Sequence, residues 1–184
     1  MSQLFAHCRK VSSTMRTDRG LFQPEAFSNA AYLAAGAYLL AIGMTLPGLA
    51  LLALGLASTW YHYGHSWPGR YADRAAMNVV AVVMMVELGM LPAWSLWLLV
   101  PAMIVVGRTV SSHSAVPALF GLAIGYGWQR LLPVVPLFLL ALAVGQWAER
   151  FPKDHVAYEI GHAAWHVLTA LALLIAFLRI KGGG

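Results

Sequence analysis

Long apolar runs, separated by short polar interruptions, extend over most of the chain. A helix needs about 20 apolar residues to cross the hydrocarbon core of a bilayer, with about 17 as the lower limit. Apolar runs delimited by Pro, Gly and charged residues predict seven membrane spans, at about 27–46, 47–64, 71–90, 92–107, 113–129, 132–148 and 156–179. The pattern therefore predicts an all-α fold, an integral membrane bundle of seven transmembrane helices.

These spans divide the chain into three parts. Residues 1–26 form a polar N-terminal segment, residues 27–180 form one transmembrane domain, and residues 181–184 form a C-terminal tail. The first 25 residues lack an apolar core region, so no cleavable signal peptide is expected. Pro47 is well placed for the start of the second span, and Gly121, Gly125 and Gly127 in the fifth span allow close helix packing.

The composition favours a membrane protein. Hydrophobic residues make up 60% of the chain and charged residues only 10%, where a soluble domain would carry about 25%. The net charge is +5, but there is no dense basic run with interleaved aromatic residues, so nucleic acid is not an expected partner. The single cysteine, Cys8, excludes an internal disulfide. The expected partner is the bilayer itself.

The distribution of basic residues predicts the orientation. With seven spans, nine Lys and Arg residues lie on the N-terminal side and three on the other, which predicts a cytoplasmic N-terminus. The first group is Arg9, Lys10, Arg16, Arg19, Arg70, Arg74, Arg108, Arg150 and Lys153, and the second is Arg130, Arg179 and Lys181. The short loops are typical of a multi-pass protein of a bacterial inner membrane.

Polar and ionisable residues occur within the predicted spans, where they are costly and usually functional. Ser58 and His62 end the second span, Asp73 opens the third, and His162 and His166 open the seventh. Because successive spans alternate in direction, all five residues are expected near the same membrane face.

The spacing of the histidines predicts a metal site. His162 and His166 are four residues apart and share one helical face. Such a pair can also serve packing, but together with His62 it can make a three-imidazole zinc site with one position open for water. Zinc lowers the pKa of that water to about 7. Asp73 is then a candidate general base, and Ser58 a candidate hydrogen-bond donor to the oxyanion.

Glu159 precedes His162 by three residues on the seventh span. Its carboxylate either orients the imidazole of a metal ligand, as a possible outer-shell partner, or lies solvated at the start of the helix.

At these positions the chain resembles the superfamily of seven-span hydrolases that groups alkaline ceramidases, progestin/adipoQ receptors and Per1-like proteins. The resemblance rests on "STWYH" in the second span, "YADRAAM" at the start of the third and "HAAWH" in the seventh. Before the first span, "QPEAFSNAAYLAAG" contains Ser28 and Asn29 at the family's Ser-Asn, whereas the family's preceding Asn is Glu25 or Ala26 here. The resemblance extends from about Asp18 to the end of the seventh span. The stretch "HAAWHVLTA" is more similar to the ceramidase branch than to the receptor branch.

The resemblance implies an intramembrane zinc hydrolase that cleaves the amide bond of ceramide, or of a similar N-acyl lipid, to an amine or sphingoid base and a fatty acid. The zinc ligands it implies are His62, His162 and His166, with Ser58 and Asp73 beside them as catalytic residues. Animal alkaline ceramidases have an acidic calcium-binding segment before the first span. Only Asp18 and Glu25 are available here, so no calcium site is expected.

Two other functions stay open. The receptor branch suggests a non-catalytic lipid-sensing or membrane-remodelling protein, like a progestin/adipoQ receptor or a hemolysin III-like protein. Its zinc would be structural, with His65 as the candidate fourth ligand. A transporter or channel is less favoured, because the sequence lacks discontinuous helices in two matching halves.

Overall fold

A computed structural model describes residues 24–109, 120–153 and 155–182. Within these ranges the regular structure is helical and contains no strand, which confirms the predicted all-α class. Short 3₁₀ turns at Ala93–Ser95 and Leu132–Val134 lie before α5 and within α7. The helices are α1 (Pro24–Ser28), α2 (Ala30–Ala41), α3 (Thr45–Gly64), α4 (Trp67–Glu87), α5 (Leu96–Thr109), α6 (residues 120–126), α7 (Trp128–Ala148) and α8 (Val156–Gly182).

Two of these helices are long and apolar enough to cross a membrane, judged by length and composition. They are α7, with 21 residues, and α8, with 27 residues. α3 and α4 have 20 and 21 residues but carry the polar groups of the candidate site, whereas α2 has only 12 residues. Residues 113–119 of the predicted fifth span lie outside the described ranges, as do Cys8, Asp18 and the basic residues before Pro24.

Some helix boundaries differ from those expected. α3 begins at Thr45, so that Pro47 lies in its first turn instead of at its first position. α4 begins at Trp67, before the predicted start of the third span at residue 71. The reason is a cap, because the Ser66 hydroxyl accepts a hydrogen bond from the Gly69 amide at 3.1 Å, and Pro68 suits the first turn.

The outward surface of the helices is rich in large apolar side chains. Trp97 is 84% exposed, and many others on α3, α5, α7 and α8 are also exposed, among them Leu49, Leu98, Leu139 and Leu171. Large apolar side chains exposed on four helices suit the interior of a bilayer better than water.

Two glycines determine how closely α2 and α3 pack. A Cβ atom added at Gly36 would lie 2.9 Å from the Gly48 carbonyl oxygen and 2.9 Å from the Leu52 amide nitrogen. Glycine therefore lets the two backbones approach, as small residues do between membrane helices. Gly43, with φ of 82°, makes the turn between the two helices.

Both ends of the predicted transmembrane domain extend further than expected. α1 packs against α8 and α3, and Glu25 and Ser28 on it are buried, so that residues 24–26 belong to the helical body. α8 continues to Gly182, where Lys181 donates a hydrogen bond to the Ile42 carbonyl oxygen at 2.6 Å. Lys181 is thus part of a helix, although the sequence predicted the start of a tail.

Candidate metal centre

Three buried imidazoles from two helices meet near one end of the bundle. His62 lies in the last turn of α3, and His162 and His166 lie one turn apart near the start of α8. One ligand atom from each ring can be chosen so that all three lie within 4.8 Å of one another, and the three side chains could therefore hold a metal ion. The sequence predicted that these three histidines lie together although about a hundred positions separate His62 from the other two, and the fold does bring them together.

The closest pair has the separation expected of ligands to one ion. The Nε2 atoms of His62 and His162 lie 3.4 Å apart. Two nitrogens bound tetrahedrally at about 2.0–2.1 Å from one zinc ion lie about 3.3–3.4 Å from each other. The same spacing also suits other metals that imidazole binds.

Glu25 orients the His62 ring. Its Oε2 atom lies 3.2 Å from His62 Nδ1, and both side chains are buried. Burial raises the pKa of Glu25, but the hydrogen bond from His62 and the positive potential of the histidine cluster outweigh this effect, so that its pKa lies below the ordinary value. A carboxylate only accepts hydrogen bonds. His62 Nδ1 therefore carries the proton, and the Nε2 lone pair points toward the other two histidines.

Ser28 orients the ring of His166 by a hydrogen bond, as Glu25 orients that of His62. The Ser28 hydroxyl donates to the Glu25 carbonyl oxygen at 2.8 Å, and its oxygen lies 3.0 Å from His166 Nδ1. With its proton already donated, the hydroxyl oxygen accepts from His166 Nδ1–H, which leaves the Nε2 atom of His166 as an acceptor. The Nε2 atoms of His62 and His166 are thus acceptors, as metal-binding imidazole nitrogens are, and together with His162 they form a set of ligands that fits a metal ion.

Aromatic rings restrict the third imidazole. Tyr158 stacks on His162 with ring centroids 5.2 Å apart and planes 24° from parallel, and Trp165 lies against it at 5.1 Å. Both aromatic residues lie within one turn of His162 on α8, so that the same helix supplies a ligand and the contacts that hold its ring.

Asp73 and Ser58 form a pair beside the histidines. The Asp73 carboxylate is close enough to both Ser58 and His62 to interact with them electrostatically. Ser58 is buried one turn before His62 on α3, and Asp73 lies in the second turn of α4. The structure thus brings the five predicted residues together on three helices.

A cavity of about 400 Å³ opens beside this group. His62, Asp73 and His162 line its polar end. The rest of the wall is mainly apolar, with side chains from six helices, among them Leu54, Val80, Phe120, Phe138 and Leu173. A cavity of this size and character is typical of small-molecule and lipid sites.

The remaining candidates lie around the site in different ways. The His65 ring is 6.5 Å from the His62 ring, and His65 is not a member of the three-histidine group. Glu159 lies in the first turn of α8. The sequence did not lead us to predict Glu25 at the metal site. Its place in "QPEAFSN", three residues before Ser28, is the one sequence feature that could have indicated it.

Comparisons with known proteins identify no relative. A scan against protein-family models, a search of curated proteins and a search of solved structures each found no match for this chain.

Proposed function

We propose that this protein is an intramembrane zinc-dependent amidohydrolase that cleaves the amide bond of ceramide or a similar N-acyl lipid. One observation carries the proposal: three buried imidazoles lie together beside a largely apolar cavity, and two of them have their outer nitrogens hydrogen-bonded to α1, which leaves their Nε2 atoms as acceptors. The resemblance of the three motifs to those of alkaline ceramidases supports the same assignment.

The proposed architecture is the seven-span bundle of that superfamily. Two helices with the length and composition of membrane spans, and the exposed apolar side chains on the other helices, support it. The acyl chain of the substrate would enter the cavity from the bilayer and lie against its apolar wall.

The chemistry divides among the residues of the site. A zinc ion held by the three histidines supplies a Lewis acid and lowers the pKa of water to about 7. Asp73 accepts a proton from the attacking water as its oxygen bonds to the amide carbon. Asp73 then returns this proton to the nitrogen as the carbon–nitrogen bond breaks, which yields an amine and a fatty acid. Ser58, which lies beside Asp73, is placed to orient the carboxylate and to donate to the developing oxyanion.

A non-catalytic protein with structural zinc is the alternative. Structural zinc sites usually have four protein ligands, whereas catalytic sites have three and keep one position open. The described residues provide a group of three histidines beside a cavity, and this arrangement supports the enzyme over the alternative.

Metal analysis of the purified protein and its variants tests the proposal. We expect one zinc per chain in the wild type and in Asp73→Ala, and loss of zinc in His62→Ala and His162→Ala. The exposed His155 is a matched control, and His155→Ala should keep its zinc.

Turnover of a labelled lipid amide is measured on the same preparations. The wild type should release fatty acid, whereas Asp73→Ala should be inactive although its metal is retained. Full activity of Asp73→Ala would overturn the role of that residue. One zinc per chain with no lipid amide cleaved would favour the non-catalytic alternative, and a wild type without metal would overturn both.

A further inference from the structure

Three basic residues line the same cavity as the metal centre. Arg70 and Arg74 lie one turn apart in the first half of α4, and Lys153 lies in the segment between α7 and α8. Lys153 is close enough to His162, and the two arginines to Asp73, for electrostatic interaction. The cations therefore gather at the polar end of the cavity, where the amide would be cleaved.

The described carboxylates form no ion pair with these cations. Within the described ranges, no carboxylate oxygen lies within ion-pair distance of Arg70, Arg74 or Lys153. The two guanidinium groups repel each other electrostatically, and Arg70 makes a cation–π contact with the Trp67 ring at 5.8 Å. Glu149 also lines the cavity, and both it and Lys153 are exposed to solvent, so the two arginines are the half-buried charges of the group. Arg70 and Arg74 are half-buried, and an anion bound between them would relieve the repulsion of their charges.

The geometry of the cavity assigns its two ends to the two halves of an N-acyl lipid. The acyl chain requires the apolar wall, which contains Leu54, Phe138 and Leu173. When the amide carbonyl lies at the histidines, the group on the nitrogen side must occupy the polar end. That group then faces the three cations.

We infer that the lipid hydrolysed by this protein carries an anionic group, a carboxylate or a phosphate, on the amine side of its amide bond, and that Arg70, Arg74 and Lys153 bind it. This inference rests on the proposed amidase function and narrows its substrate class. Guanidinium groups bind carboxylates and phosphates through paired, charge-assisted hydrogen bonds. A neutral head group, such as that of ceramide, offers these cations no charged partner.

The experiment compares two substrates that differ in one group. N-palmitoyl glycine carries a carboxylate where N-palmitoyl ethanolamine carries a neutral hydroxymethyl group. With the zinc-loaded protein in nanodiscs of neutral phosphatidylcholine, we expect kcat/KM to be at least about tenfold higher for the glycine conjugate, mainly through KM. Arg70→Gln combined with Arg74→Gln should remove this preference, so that the ratio of the two kcat/KM values approaches one.

Arg150→Gln is the matched control. Arg150 lies on the same predicted membrane face but does not line the cavity, so its replacement should preserve the preference. Equal rates for the two lipids in the wild type would overturn the inference while leaving the amidase function in place.

Anionic phospholipids of the bilayer are another source of the same chemistry, because basic residues at a membrane face attract them. Nanodiscs containing phosphatidylglycerol distinguish an anionic substrate from an anionic bilayer lipid as the group that these cations bind. If the cations bind bilayer lipid, the double arginine variant will lose rate on both substrates equally and only in anionic discs, which would overturn the inference.

A binding measurement keeps the inference testable if neither lipid is cleaved. N-palmitoyl glycine should displace a fluorescent N-acyl glycine from the metal-free protein at about tenfold lower concentration than N-palmitoyl ethanolamine. Failure of turnover with this difference intact would overturn the amidase function but not the recognition of an anion. Equal displacement would overturn the recognition.

Discussion

At the scale of single residues, the site depends on which nitrogen of each imidazole carries the proton. The motifs "STWYH" and "HAAWH" identified the three histidines, because spacing on a helix can be read from sequence. The partners of their outer nitrogens could not be read in this way. Glu25 contacts His62 from 37 positions away, and Ser28 contacts His166 from 138 positions away. These contacts exist only because α1 lies between α3 and α8.

Replacement of Glu25 should weaken metal binding. Glu25→Ala leaves the buried His62 Nδ1–H without an acceptor and frees the ring to rotate, so zinc affinity should fall about 10–100-fold. The measurement is competition with a zinc chelator of known affinity, with circular dichroism to verify that the helices are retained. Glu87→Ala at the far end of α4 is the control and should bind zinc as the wild type does. Unchanged affinity in Glu25→Ala would contradict the role assigned to Glu25.

At the scale of helices, the apolar pattern located the elements well but placed several ends incorrectly. α3 and α8 fall on the predicted second and seventh spans, because long apolar runs locate a helix without knowledge of its neighbours. The start of α4 differs, because the Ser66 cap and Pro68 begin the helix before the apolar run does. Residues 24–26 of α1 were assigned to a polar segment and the rest of α1 to the first span, since a five-residue helix has too short a pattern to detect.

The close packing of α2 on α3 predicts an effect of a single methyl group. Alanine usually stabilises a helix relative to glycine by about 1 kcal/mol. At Gly36, however, the added Cβ would meet backbone atoms of α3 at 2.9 Å, so Gly36→Ala should lower the free energy of unfolding by about 1–3 kcal/mol. Thermal or denaturant unfolding in detergent measures this change.

Gly121→Ala provides the comparison for that measurement. A Cβ at Gly121, within α6, meets nothing within 4 Å. This variant should therefore be as stable as the wild type or slightly more so. Equal effects of the two substitutions would mean that α2 and α3 do not pack closely through Gly36.

At the scale of the whole molecule, the membrane environment and the number of spans are separate questions. α7 and α8 have the length and apolar composition of membrane helices. Seven spans, as proposed, would put the two ends of the chain on opposite sides of the membrane, and the balance of nine basic residues against three predicts a cytoplasmic N-terminus.

Fusions to alkaline phosphatase in a bacterial host test this topology, because the enzyme is active only outside the cytoplasm. A fusion after Gly184 should be active, and one after Lys153, before the last span, should be inactive. Immunoblots of both fusions control for expression. Activity of the Lys153 fusion and inactivity of the Gly184 fusion would reverse the orientation, and equal activity in both would contradict the last span.

The sequence by itself determined the helical class, the approximate position of most helices and the identity of the candidate ligands. These features depend on local pattern: apolar run length, helical spacing and residue chemistry. The tertiary structure decided which side chains meet, because contacts between distant segments depend on how helices pack. It brought Asp73 to Ser58, Glu25 to His62, and Arg70, Arg74 and Lys153 to the cavity that His62 and His162 share.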